Sequence, residues 1–163
     1  MNVNGTPTRS IWPLAGQHTV RIIDQTVLPH HYQTLDLNSL EEAAHAIRSM
    51  QVRGAPLIGA TAAYGVALAM NRDCDDNALT SASTLLGATR PTAVNLHWAL
   101  QRMQAHLAPL PPNRRCEAAW QEAAAIAEED VAQNRAIGRY GLALLEQIAN
   151  EKRVRQEARR QAE

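Results

Sequence analysis

The sequence predicts an α+β domain, predominantly helical, with a small N-terminal antiparallel sheet followed by a bundle of about five helices. Three observations predict it. The hydrophobic period changes at Asn38, from alternation upstream to recurrence every three or four residues downstream. The tract from Pro56 to Met70 carries no charge and many small side chains, which suits a helix surrounded by protein on most sides. Apolar residues make up 45% of the chain while phenylalanine is absent, so the core must be built from Ala, Leu, Val, Ile and Trp. Abundant alanine implies helices that approach closely.

Taken in order, residues 1–9 are polar and contain Gly5 and Pro7, and the expectation is a disordered lead-in. Ile11-Trp12 and Thr19 to Ile23 read as two strands around a turn containing Gly16, and Tyr32 to Leu37 alternates as a third strand with Leu35 and Leu37 on one side. Ser39 with Glu42 forms a capping box. Leu40, Ala43, Ala44, Ile47 and Met50 then share a helical face, in a helix ending near Gln51. The next helix, from about Pro56 to Met70, is expected at the centre of the bundle, with Gly59 and Gly65 as packing positions. Asp73, Asp75 and Asp76 lie in a polar stretch that reads as a solvated loop, because the spacing lacks the glycine turn and distal glutamate of a calcium loop.

A short helix is expected over Ala78–Gly87. Another runs from Pro91 to Leu107, with Leu96, Leu100, Met103 and Leu107 on one face and Pro109, Pro111 and Pro112 closing it. A long helical tract starts near Arg114, with Trp120, Ala123, Ala124, Ala127 and Val131 on its apolar face. Gly138 and Gly141 are expected to break or bend it. The domain is thus placed at residues 10–149, and residues 150–163 form a charged helical or disordered tail with little to bury.

The formal net charge is zero, which leaves no electrostatic footprint for nucleic acid or an acidic membrane. With no charged segment leading into an apolar one at the start of the sequence, the expected compartment is the cytoplasm. Cys74 and Cys116 lack metal-ligand spacing and are expected to be free thiols. None of the six histidines pairs with another His or a Cys at such spacing. His97 stands apart because it lies on the helix that Arg90 introduces.

Two segments carry the chemistry. In Arg53-Gly54-Ala55-Pro56 an arginine and a glycine stand just before a proline suited to the first turn of a helix. The free N–H groups and positive dipole end of that turn, beside a guanidinium, can hold an anion such as phosphate. Arg90-Pro91 repeats the pattern, and two such ends could grip one ligand. The competing reading is that each arginine caps a neighbouring helix or pairs with a surface carboxylate.

These two segments, with Asn95-Leu96 and Trp98-Ala99-Leu100 after the second and Asp24-Gln25-Thr26 and Leu28-Pro29 near the start, resemble the S-methyl-5-thioribose-1-phosphate isomerases of methionine salvage. The wider superfamily contains a ribose-1,5-bisphosphate isomerase and regulatory subunits of the translation-initiation guanine-nucleotide exchange factor. The resemblance covers roughly residues 10–149 and matches the N-terminal part of the family's chain. It implies aldose–ketose isomerisation of a sugar phosphate, with no metal or organic cofactor, and substrate contacts at Arg53, Gly54, Ala55 and Arg90. It also implies a Rossmann-like C-terminal domain carrying a catalytic cysteine and aspartate. After Asn150 the sequence turns charged and departs from that pattern, and neither Cys74 nor Cys116 matches the family's cysteine. The expectation is a chain inactive alone, which joins a missing C-terminal domain or forms a homo-oligomer through apolar surface left uncovered.

Overall fold

Strands β3 (Ile11–Pro13), β4 (Val20–Ile23) and β5 (Thr34–Leu37) form an antiparallel sheet with β4 in the middle. They are preceded by a two-residue ladder, β1 (Asn2–Val3) with β2 (Thr6–Pro7), where the sequence predicts an unstructured lead-in. The computed structural model describes residues 2–3 and 5–161; Met1, Asn4, Ala162 and Glu163, which fall in the expected lead-in and tail, lie outside them. The register of the larger sheet aligns Ile11 with Ile22 and Ile22 with Leu35, one apolar row facing the helices. On the opposite face Arg21 pairs across the strands with Asp36, at 2.5 and 2.7 Å. The Arg21 guanidinium holds the Asp36 carboxyl below its ordinary range.

Helix α1 (Leu40–Arg48) starts where Ser39 accepts the Glu42 N–H, while Glu42 reaches back to the Asn38 N–H rather than to that of Ser39. It buries Ala43, Ala44, Ala46 and Ile47. Met50, assigned to that face from its spacing, lies beyond the helix end in a left-handed conformation (φ 62°) and is exposed. Helix α2 (Ala55–Met70) is buried along twelve of its sixteen residues and touches α1, β3 and the two helices that follow it. Gly65 packs tightly there, since a Cβ would meet the Leu86 methyls at 3.1 Å and the Ala43 methyl at 3.2 Å.

Helix α3 (Asp76–Gly87) begins two residues before the expected Ala78, because Asp75 caps it by accepting the Ala78 N–H. Helix α4 (Val94–Leu107) begins three residues after Pro91 and buries Leu96, Leu100, Met103 and Leu107 as expected. Helix α5 runs unbroken from Pro112 to Gln161, so Gly138 and Gly141 do not interrupt it. Each glycine costs about 1 kcal/mol in a helix interior, too little to end one flanked by good helix formers with no proline after its first residue.

Residues 1–127 gather into one compact unit and residues 128–163 into another. In the first, α5 contributes Ala119, Ala123, Ile126 and Ala127 to the core. Its buried Arg115 donates to the carbonyls of Cys74, Leu107, Ala108 and Leu110 and pairs with Asp76 at 2.6 Å, fastening two loops to the helix. The second unit is helical; its large apolar side chains Ile137, Tyr140, Leu142, Leu144, Leu145, Ile148 and Val154 are exposed, and Val131 is half-buried. Among the described residues no helix is long and apolar enough to cross a membrane.

Candidate anion-binding site

Gly54 is the N-cap of α2, in a left-handed conformation (φ 93°) that favours glycine. No side chain caps this end, Ala55 opens the helix and Pro56 takes its second position, where a missing N–H costs nothing. Arg53, Gly54 and Ala55 are all exposed. The turn is held from a distance: the Arg53 N–H donates to Gln25 Oε1 (3.0 Å) and Arg53 Nη2 donates to the Gln25 carbonyl (3.2 Å). Gln25 is itself fixed, since its N–H donates to the Gln51 carbonyl at 2.9 Å. Before it, the buried Asp24 carboxylate accepts both the N–H and the hydroxyl of Thr26.

The second arginine sits in different surroundings. Arg90 is half-buried, and its carbonyl accepts the Ala93 N–H (3.0 Å), closing a β-turn with Pro91 at its second position. Pro91 therefore shapes a turn and does not open the helix as its spacing suggested; Ala93 is the N-cap of α4, again without a side-chain cap. His97 Nε2 lies 2.8 Å from the Pro91 carbonyl, an acceptor, so that ring nitrogen is the donor. The ring also borders a cleft of about 440 Å³ between α3 and α4, which Ser83, Gly87 and Gln104 help to line.

Packing brings these two starts together. A Cβ built on Gly59, in the second turn of α2, would lie 2.9 Å from the Asn95 carbonyl oxygen, in the first turn of α4. Only a glycine lets the helices meet so near their N-termini, and the two uncapped ends become neighbours. Each supplies free N–H groups and the positive end of a helix dipole, and an arginine precedes each. The arrangement suits a multiply charged oxyanion.

Other candidate chemistry is tied up in structure. Asp73 accepts the Asp75 N–H, Asp75 caps α3 and Asp76 pairs with Arg115. Both cysteines are free thiols. Burial, with a smaller contribution from Cys74, pushes the Cys116 thiol up, which disfavours the nucleophilic thiolate at neutral pH. Gln25 is the site residue that local pattern missed. The available signal was Asp24 followed two residues later by Thr26, an Asx-turn pattern that fixes the backbone between them.

The chain is 62% identical over 144 residues to methylthioribose-1-phosphate isomerase of Dechloromonas aromatica strain RCB, a match covering 88% of this chain and 40% of that protein. Among solved structures, the delta subunit of translation initiation factor eIF-2B from A. fulgidus superposes with a TM-score of 0.77 at 39% identity, covering 85% of this chain and 42% of that one. The 5-methylthioribose 1-phosphate isomerase of Pyrococcus horikoshii OT3 superposes with a TM-score of 0.75 at 37% identity, covering 82% and 39% respectively. The chain thus spans about two fifths of the length of these isomerases. Residues 51–154, more than half of the chain and including both arginine turns, match the model of the initiation factor 2 subunit family, and the chain belongs to that family.

Proposed function

We propose that this chain is the N-terminal, substrate-binding portion of an aldose–ketose isomerase that converts S-methyl-5-thioribose 1-phosphate to S-methyl-5-thioribulose 1-phosphate. The observation that carries the reading is the meeting of two uncapped helix N-termini, each preceded by an arginine, at the Gly59–Asn95 contact. Arg53, Gly54, Ala55 and Arg90 would hold the phosphate. The resemblance of their segments to the isomerases' motifs, together with the 62% identity over 144 residues to one such isomerase, supports the choice of sugar phosphate. The hydrogen shift between C2 and C1 would be catalysed by a cysteine and an aspartate from a C-terminal domain, and this chain alone would bind without turnover. The exposed apolar side chains of residues 137–148 supply a surface for that domain or for a second copy. The compartment would be the cytoplasm.

The likeness to the eIF-2B delta subunit supports a second reading, a non-catalytic module that senses sugar phosphates or nucleotides. Calorimetry with S-methyl-5-thioribose 1-phosphate, followed by turnover assays with and without the separate C-terminal domain of an isomerase, decides between them. Binding lost in Arg53→Ala and Arg90→Ala, with activity restored by the added domain, is the expected result. Binding without restored activity favours the sensor. No binding, or binding indifferent to both arginines, overturns the anion site itself.

A further inference from the structure

We propose that Gln25 is the positioning residue of this anion site, a two-point clamp that sets both the backbone and the guanidinium of Arg53. The inference rests on the reading that the Arg53 turn takes a phosphate. Three bonds converge on this one residue. Its side-chain oxygen accepts the Arg53 N–H at 3.0 Å, its carbonyl accepts Arg53 Nη2 at 3.2 Å, and its own N–H donates to the Gln51 carbonyl at 2.9 Å. The residues on either side of Val52, Gln51 and Arg53, are thereby both tied to Gln25, the latter across 28 positions of the chain. With the Arg53 N–H already satisfied, the amides left free at this end of α2 are those of Gly54, Ala55 and Leu57, since Pro56 has none and the Ile58 N–H is bonded to the Gly54 carbonyl. The second bond spends one of the five guanidinium N–H donors and leaves the others for the ligand in a fixed orientation.

What holds Gln25 makes the clamp stiff. The Asp24 carboxylate is buried and accepts two bonds from Thr26, and the Asp24 N–H donates to the Gln33 carbonyl, anchoring the turn beside β5. An arginine with several rotatable bonds at an exposed position loses side-chain entropy when it binds. Fixing one of its nitrogens beforehand lowers that loss.

The test uses the full chain with inorganic phosphate as the probe, read by calorimetry beside thermal unfolding and amide exchange of Arg53. Gln25→Met keeps the length of the side chain and removes the acceptor. It is expected to weaken phosphate binding about five- to ten-fold, the scale of one lost hydrogen bond with its ordering, and to speed exchange at the Arg53 amide. Gln25→Glu keeps an acceptor and places a carboxylate beside the bound anion, so it weakens phosphate binding while the Arg53 amide stays protected, and it serves if Gln25→Met is unstable. If Arg53→Ala abolishes binding but both Gln25 variants bind as the parent does, the anion site stands and the clamp is overturned. A lowered unfolding midpoint with unchanged affinity also overturns it, by showing that Gln25 acts only in stability. If the parent chain does not bind phosphate, or Arg53→Ala binds equally well, the anion reading fails and the clamp falls with it.

Discussion

Helix α2 and the part of α5 beyond residue 127 each contain two glycines, yet those glycines mean opposite things. In α2, Gly59 and Gly65 are buried against a backbone carbonyl and against two side chains, at distances of 2.9 to 3.2 Å from a built Cβ. In α5, Gly138 and Gly141 have nothing within 4 Å of such an atom. At Gly59 an added methyl would strike backbone, whereas at Gly65 it would crowd the methyls of Leu86 and Ala43, which would have to give by a few tenths of an ångström, so this pair governs how closely helices approach. The second pair only weakens the helix that contains it. Glycine in a helical sequence is thus uninformative until its surroundings are known, and neighbouring composition is the best guide. Around Gly59 the sequence is uncharged, whereas around Gly138 it carries Arg135 and Arg139.

The sharpest way to break this contrast is Gly59→Ala. Alanine gains about 1 kcal/mol of helix propensity over glycine, but a methyl 2.9 Å from the Asn95 oxygen forces backbone to move, and overpacking of that kind costs about 1–3 kcal/mol or more. We expect a net loss of about 1–2 kcal/mol in urea unfolding. Displacing the first turn of α4 from α2 also separates the two arginine turns, so phosphate affinity is expected to fall in the same variant. Unchanged stability and unchanged affinity would mean that the two helices yield freely at their closest point.

How much of this was legible beforehand follows the range of the signals. The three strands, the Ser39 cap and the buried face of α4 rest on alternation, capping and helical spacing, all read within a few residues. Pro91 was misplaced because proline fits the second position of a β-turn as well as the first turn of a helix. The Arg90–Ala93 bond and the His97 contact decide between them here. Met50 continued the apolar spacing of α1, but the chain had already turned away. The arginine turns themselves were visible as motifs. The meeting of their helices at Gly59 and Asn95 was not, nor was the fastening by Arg115 or the clamp from Gln25, because these bonds join residues 28 and 41 positions apart, and only the Asx-turn of Asp24 with Thr26 marks the clamp locally.

The converse experiment is smaller in effect. Gly138→Ala and Gly141→Ala meet no neighbour, so each is expected to favour the helix by about 0.5–1 kcal/mol, through propensity and a less flexible unfolded chain. Circular dichroism near the melting of this segment is the measurement to use, because global unfolding also reports residues 1–127. Loss of helix signal on substitution would show that these glycines face something the chain packs against.

Deleting residues 151–163 is expected to have the smallest effect. The described side chains from Glu151 to Glu157 are all exposed, Val154 included, so no apolar burial offsets the backbone entropy of about 1–2 kcal/mol per ordered residue. What order this stretch has comes from propensity, since Glu, Lys, Arg, Gln and Ala favour a helix, and from the Glu151–Arg155 pair at 4.0 Å. An exposed pair one turn apart contributes about 0.3–0.5 kcal/mol at most. Removing the stretch therefore changes the unfolding free energy of the chain by less than about 1 kcal/mol, while the helical dichroism falls in proportion to the residues lost. The comparison with α2 is then at its plainest, one added methyl there outweighing thirteen residues here. A loss several times larger on deletion would show that this end of α5 docks on other parts of the protein, and the contrast between the two helices would have to be redrawn around that contact.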